Sequence, residues 1–259
     1  MMPEGLLGIE AMLPVWLLAA VRPGAAMLAA PAIGMRGFPV QLRIILALGI
    51  AVATSARVAP TMPVEGLASL SGLLLIAGEA LAGLALGFTL QLGYAASLIA
   101  GEVIAGAMGL SFAGTGDAAG AGQVPVLSSL FSVIAMLLFF AGDGHLLLIS
   151  ASAGSLDSLP PGAVPAAEVG QAVAGFAGHM FAAGLAVALP VGTASLLVQV
   201  AMAMLARSAP QLGLFAVGLP AALLAGLLFL ALGAPLIAEG IGGALDGAFD
   251  QLGLLAGEG

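Results

Sequence analysis

The element Gly114-Thr-Gly-Asp117 carries the sharpest chemistry in this sequence, because Gly-x-Gly-Asp marks aspartyl proteases that cut inside membranes. Such an enzyme needs two aspartates sharing one proton, the second usually following a tyrosine in an earlier helix. The single tyrosine is Tyr94, Ala95 follows it, and no aspartate precedes Asp117. One carboxylate cannot form a dyad, and the chain also lacks the Gly-x-Ser-x-Gly element of a rhomboid-type serine protease. Asp143 and His145 lie in Gly-Asp-Gly-His, where a metal or proton relay is conceivable; an orienting hydrogen-bond group at a helix break is the weightier reading. His179 has no acidic neighbour one turn away and reads as a packing residue. Glu79 and Glu102 interrupt an otherwise apolar run. A charge at the bilayer centre costs about 2.5–3.5 kcal/mol on insertion scales, so each needs a partner, a wet cavity or a proton. An ion or proton path is one reading; an ion pair with an arginine, or a contact to another subunit, is the stronger.

The elements that must position these groups are set by composition. Of 259 residues, 61% are hydrophobic and 7% charged, against about 25% charged in an ordinary soluble domain. So few charges cannot coat a soluble fold, and the expected class is an all-α polytopic membrane protein rather than a soluble enzyme. Five arginines, no lysine and 13 acids give a net charge of -8. That leaves no basic surface for nucleic acid and no polybasic stretch for anionic lipid. The absence of cysteine removes disulfides and thiolate metal sites. No cofactor or metal is expected. Residues 1–20 have no basic start before their apolar run and read as part of the fold, not as a cleaved signal.

Roughly 20 apolar residues are needed to cross a hydrocarbon core as helix. Six such stretches are expected: about Gly8–Ala30, interrupted at Arg22-Pro23; Val40–Arg57; Leu67–Met108; from Pro125 past a possible break at residues 142–144 toward Leu156; Glu168–Ala206, with Pro190 in its middle; and Leu212–Ala238. A proline inside a helix removes a hydrogen bond and clashes with the preceding turn, so a kink is expected at Pro190. Residues 109–124 are rich in Gly, Ala, Ser and Thr, too apolar for a solvated loop and too glycine-rich for a stable helix. Irregular backbone at membrane depth must be buried in protein or line a pore. Arg36, Arg43 and Arg207 fall on one side of a six-span arrangement, which the positive-inside bias makes cytoplasmic; Arg57 falls on the other.

Taken in order, several fragments resemble the FliR family of flagellar export-gate subunits, whose virulence-secretion counterparts are called SctT. They are Arg22-Pro23, Pro31, Arg36-Gly-Phe-Pro39, Arg43, Gly78-Glu79, Gly83, the run from Gly101-Glu102 to Phe112, Val124-Pro125, Leu137-Leu-Phe139, Gly144-His145-Leu146, Ala188-Leu189-Pro190, Arg207-Ser-Ala-Pro210, Phe215 and Gly218-Leu-Pro220. They span nearly the whole chain. Two departures stand out: Asp117-Ala118 where the family commonly has Asp-Pro, and Gly213 where it commonly has Asn.

The resemblance implies a non-enzymatic structural and gating subunit of the inner-membrane export gate of the flagellar basal body. It implies assembly with FliP and FliQ, with FlhB at the cytoplasmic mouth and FlhA around it, and passage of unfolded protein substrates. It divides the chain into a FliP-like part, residues 1–165, and a FliQ-like helical hairpin, residues 166–259. It makes residues 109–124 a pore plug, with Gly109, Leu110, Phe112, Gly114, Asp117, Gly120, Gly122 and Val124 as its parts. Apolar stoppers on a glycine-rich loop can seal a narrow lumen by dewetting. Subunit-contact or gating candidates are Arg22, Arg36, Arg43, Glu79, Glu102, His145, Pro190, Arg207 and Pro210. The alternative is a secondary transporter using Glu79 and Glu102 at a midplane site.

Overall fold

A computed structural model of the chain describes residues 4–35, 37–55, 57, 66–110, 126–208 and 218–257. Those residues form seven helices and no strand: α1 (Glu4–Ala29), α2 (Val40–Ser55), α3 (Leu70–Ala107), α4 (Val126–Ala141), α5 (Gly144–Ser158), α6 (Ala166–Ser208) and α7 (Leu219–Ala256). The chain is a polytopic helical membrane protein. Four helices, α1, α3, α6 and α7, are long and apolar enough to cross a membrane, and the bent pair α4–α5 makes a fifth if counted as one span.

The six expected stretches recur with three differences. First, α1 runs through Arg22-Pro23 without interruption, because packed neighbours can compensate a lost backbone bond in a membrane helix. Second, α2 has 16 residues, about 24 Å of helix at 1.5 Å per residue, short of the roughly 30 Å hydrocarbon core. Third, the last helix starts at Leu219 and continues to Ala256. Glu239, Asp246 and Asp250 do not end it, since all three sit on its exposed side. The break after α4 is present: α4 and α5 meet at 59°, and Asp143 turns the chain with φ 53°. No comparable break interrupts α6 at Pro190.

The chain forms two compact units, one from residues 1–92, 139–177 and 246–259, the other from 93–138 and 178–245. Each takes segments from both sides of residue 165. In the first unit, α1 packs on α2 and α5. Gly83 and Gly87 bring α3 against α1: a Cβ at either would run into the carbonyl of Arg22 or of Ala26. This is the small-xxx-small spacing that lets membrane helices approach backbone to backbone. Phe139 fills the space beside Gly144 and lies 6.1 Å from Phe249. Ser158 Oγ donates to Ala256 O and ties α5 to the end of α7.

In the second unit, the core is built from Ala100 and Ile104 of α3 and Met108 just after it, Phe131 and Ala135 of α4, Val187 and Val191 of α6, and Ile237 and Ile241 of α7. Gly101 allows α4 to lie against α3, since a Cβ there would meet Ser128 Cα at 2.5 Å. Ser128 Oγ donates back to Leu98 O at 3.2 Å. Between α6 and α7 lies a cleft of about 420 Å³, lined by Val187, Pro190, Val191, Gly233, Ile237 and Glu239 among others.

Candidate functional site

Two arrangements stand out, one in each unit. The first is a buried ion pair. Arg22 Nε donates to Glu79 Oε2 at 2.9 Å and Arg22 Nη2 to Glu79 Oε1 at 3.0 Å, a two-pronged pairing with both side chains at 0% exposure. Arg22 Nη1 donates to Ser155 O at 2.5 Å and to Ser155 Oγ at 3.3 Å. Glu79 Oε1 accepts a further bond from Gly162 N at 3.3 Å. One guanidinium thus joins α1, α3 and α5, and its carboxylate reaches the connector into α6.

The chemistry fits the residue types. A guanidinium presents its donors in a planar fork that matches a carboxylate, and it sits on the last turn of α5, where the helix end is partly negative. Breaking a buried pair by removing one partner is strongly destabilising, because the other charge stays buried alone. Glu79 is thereby neutralised in place, and neither side chain is offered to another subunit. An ion path through Glu79 loses its free carboxylate.

The second arrangement is the root of the segment after α3. The helix ends at Ala107, and Gly109 turns the chain with φ 77° while its N–H bonds Gly106 O at 3.0 Å. A left-handed glycine is the usual way for a helix to stop. Met108 is 1% exposed and fills the space a side chain at Gly226 of α7 would take. Gln199 Nε2 of α6 donates to Ala107 O. Ala107 and Met108, just before Gly109, thus touch α6 and α7. The other plug residues, Phe112, Gly114, Asp117, Gly120, Gly122 and Val124, lie outside the described residues, as do Arg36 and Pro210.

The remaining candidates sit apart. Arg43 closes the connection before α2, donating to the carbonyls of Ile33, Met35 and Phe38 at 2.8, 2.6 and 3.2 Å. Its guanidinium lies 5.8 Å from the Phe38 ring. His145 packs 5.3 Å from Phe140, and its Nδ1 is buried without a partner among the described residues. Glu102 and Arg207 are exposed and have no ion pair among those residues. Pro190 lines the cleft of the second unit. Ser155 and Gln199 were not legible as candidates: a serine and a glutamine in apolar helices are ordinary, and only their partners single them out.

The family described as bacterial export proteins, family 1, matches residues 13–248. The chain is 37% identical over 212 residues to the flagellar biosynthetic protein FliR of Escherichia coli (strain K12), covering 81% of this chain and 80% of that one. It is 39% identical over 193 residues to FliR of Pectobacterium carotovorum subsp. carotovorum, covering 73% and 74%. To FliR of Bacillus subtilis (strain 168) it is 29% identical over 221 residues, covering 80% and 81%. The chain belongs to the FliR family. As a FliR-family protein with several membrane-spanning helices, it is a component of the flagellar export apparatus and a multi-pass protein of the inner membrane. The matched region contains both arrangements described above.

Proposed function

We propose that this chain is a structural and gating subunit of the flagellar protein-export gate, non-enzymatic, and forms part of the channel that unfolded substrates traverse. In this reading it assembles with FliP and FliQ, contacts FlhB and FlhA, and residues 109–124 plug the pore. Residues 1–165 act as its FliP-like part and 166–259 as its FliQ-like hairpin.

The observation that carries the reading is the length of three apolar helices. α3 has 38 residues, α6 has 43 and α7 has 38, which is about 57–65 Å each at 1.5 Å per residue. A hydrocarbon core is only about 30 Å thick. Yet exposed apolar side chains run from Leu70 to Val103 on α3, from Phe181 to Leu205 on α6 and from Leu224 to Leu254 on α7, stretches of about 38–51 Å at 1.5 Å per residue. Lipid cannot cover all of that length, so other protein must. A self-contained transporter has no need of such surfaces.

The test is purification from mild detergent with a tag on this chain. A gate subunit brings FliP- and FliQ-like chains with it in a fixed ratio; recovery as a lone monomer or dimer would sink the proposal. The turn near Arg207 is assigned to the cytoplasm. Ser208→Cys in this cysteine-free chain should then resist an impermeant thiol reagent added from the periplasm of intact cells, and labelling there would reverse the orientation.

A further inference from the structure

The cleft of the second unit is built where two helices come close. A Cβ at Gly233 would lie 3.0 Å from Val191 Cγ2, and one at Gly240 2.7 Å from Val187 Cγ2. The order of these contacts makes α6 and α7 antiparallel here, and the space beside them is about 420 Å³, within the range of about 300–1,000 Å³ found for binding clefts. Ala183, Ala186, Gly243 and Ala244 line it, small residues of the kind that let another helix approach closely in a membrane. Leu236 on its rim is 61% exposed, and Leu189 beside Pro190 is 50% exposed. Two polar features interrupt this apolar surface. Pro190 has no N–H, so the carbonyl of Ala186, four residues earlier, lacks the donor that an unbroken helix supplies; both residues line the cleft. Glu239 lines it from α7, the first acid after the charge-free run from Leu219 to Ala238. Ala186 and Glu239 are the chain neighbours of the touching pair Val187 and Gly240, so they stand at one level of the cleft. Glu239 is exposed and has no ion pair among the described residues. Arg22, Arg43 and Arg57 are engaged elsewhere, and Arg207 stands about 26 Å further along α6 than Pro190, at 1.5 Å per residue.

We propose that the α6–α7 cleft is the docking site of an apolar helix from another protein chain, and that a lysine or arginine on that helix pairs with Glu239. The small residues admit the incoming backbone, and Leu189 and Leu236 close on its flanks. An ammonium or guanidinium carries more N–H donors than one carboxylate takes up, and the Ala186 carbonyl is an acceptor at the same level for one that is left over. The charge argues for a protein occupant over a lipid. A phospholipid amine brings its phosphate with it, a negative charge beside Glu239 that a basic side chain does not bring. In a chain with 13 acids and five arginines, the cation that meets Glu239 comes from outside.

This inference rests on the reading that other gate chains cover the long helices, and it names the chemistry of the chain that covers this one. The test places the photoreactive residue p-benzoylphenylalanine at position 236 in cells expressing the whole gate, and the crosslinked peptide is identified by mass spectrometry. Expected is a peptide from an apolar helix of another chain, with a lysine or arginine within one turn of the crosslinked residue, and a several-fold lower yield with Glu239→Gln. Exchanging the charges, Glu239→Lys here and the cation for glutamate in the partner, should restore the yield that either change alone lowers. A crosslink to lipid alone, a crosslinked helix without a cation, a yield that Glu239→Gln leaves unchanged, or an exchange as poor as its single changes overturns the assignment. Should Glu239→Gln not accumulate, the yield in the purified, unaltered gate is compared at low and high salt. Screening of an exposed pair should lower it, and an indifferent yield overturns the pairing. Normal co-purification of the other gate chains beside any of these failures leaves the export-gate reading in place and removes only the docking site; a chain that purifies alone removes both.

Discussion

In the first compact unit the buried polar groups include a full charge pair, Arg22 and Glu79, with its hydrogen bonds supplied from three helices and a connector; in the second, among the described residues, they are hydroxyls, those of Ser97, Ser128 and Ser195. The difference is one of reversibility. A buried charge pair has two states, intact or ruinous, because an unpaired charge in a dry interior cannot be tolerated. Hydroxyl and amide bonds contribute roughly 0.5–1.5 kcal/mol net each, small enough to break and reform while the fold persists. The first unit is tied by a pairing that does not tolerate loss of one partner, the second by weaker, exchangeable bonds.

The sharpest way to break that contrast is Arg22→Met. It leaves Glu79 buried without its counter-charge and should cost about 3–5 kcal/mol, read as loss of the accumulated chain or a lower unfolding midpoint in detergent. Pairing it with Glu79→Leu should restore most of the loss, and a double variant as weak as the single one would deny that the pair is the cause.

Next come the glycines, which separate rigid from yielding neighbours. A Cβ at Gly87 meets the Ala26 carbonyl, which is backbone, whereas one at Gly226 meets the Met108 side chain, 2.6 Å from its Cε. Gly87→Ala should therefore destabilise by about 1–3 kcal/mol, the usual cost of overpacking. Gly226→Ala should fall below about 1 kcal/mol because methionine adapts. Equal losses would mean the two walls are equally stiff.

Pro190 tests the second unit at lower amplitude. Pro190→Ala restores the missing backbone donor; a longer distance between spin labels placed on either side of it would show that the proline bends α6, and an unchanged distance that it bends nothing. The smallest effect belongs to Arg57 and Asp157, 3.8 Å apart with side chains 75% and 43% exposed. Arg57→Ala should shift stability by no more than about 1 kcal/mol, as exposed pairs do. The same residue chemistry that anchors the first unit is then nearly silent at its surface.

The apolar stretches and the Gly142-Asp143 break were legible because each is a local pattern of hydropathy or turn residues. The end of α7 was not: Glu239, Asp246 and Asp250 look like the close of a span when read in line, yet a helix with one exposed side accommodates them. The partner of Glu79 was equally hidden. Any of five arginines was open to it in composition, and only the close approach at Gly83 and Gly87 selects Arg22. Gln199 carries even less signal, since its importance lies wholly in where α3 stops.

The Arg22 pairing also sets an order of events during synthesis. Its carboxylate lies 57 residues further along the chain and its Ser155 partner 133 residues further. At about 5–20 residues per second, α1 waits on the order of several seconds with a bare guanidinium before α3 emerges, and longer before α5 completes the set. For that interval the first helix is a poor membrane segment, disfavoured by about 2.5–3.5 kcal/mol if centred in lipid. It settles in place only as later helices arrive, so the newborn chain must be sheltered, by the insertion machinery or by water at the bilayer surface, until its own sequence catches up.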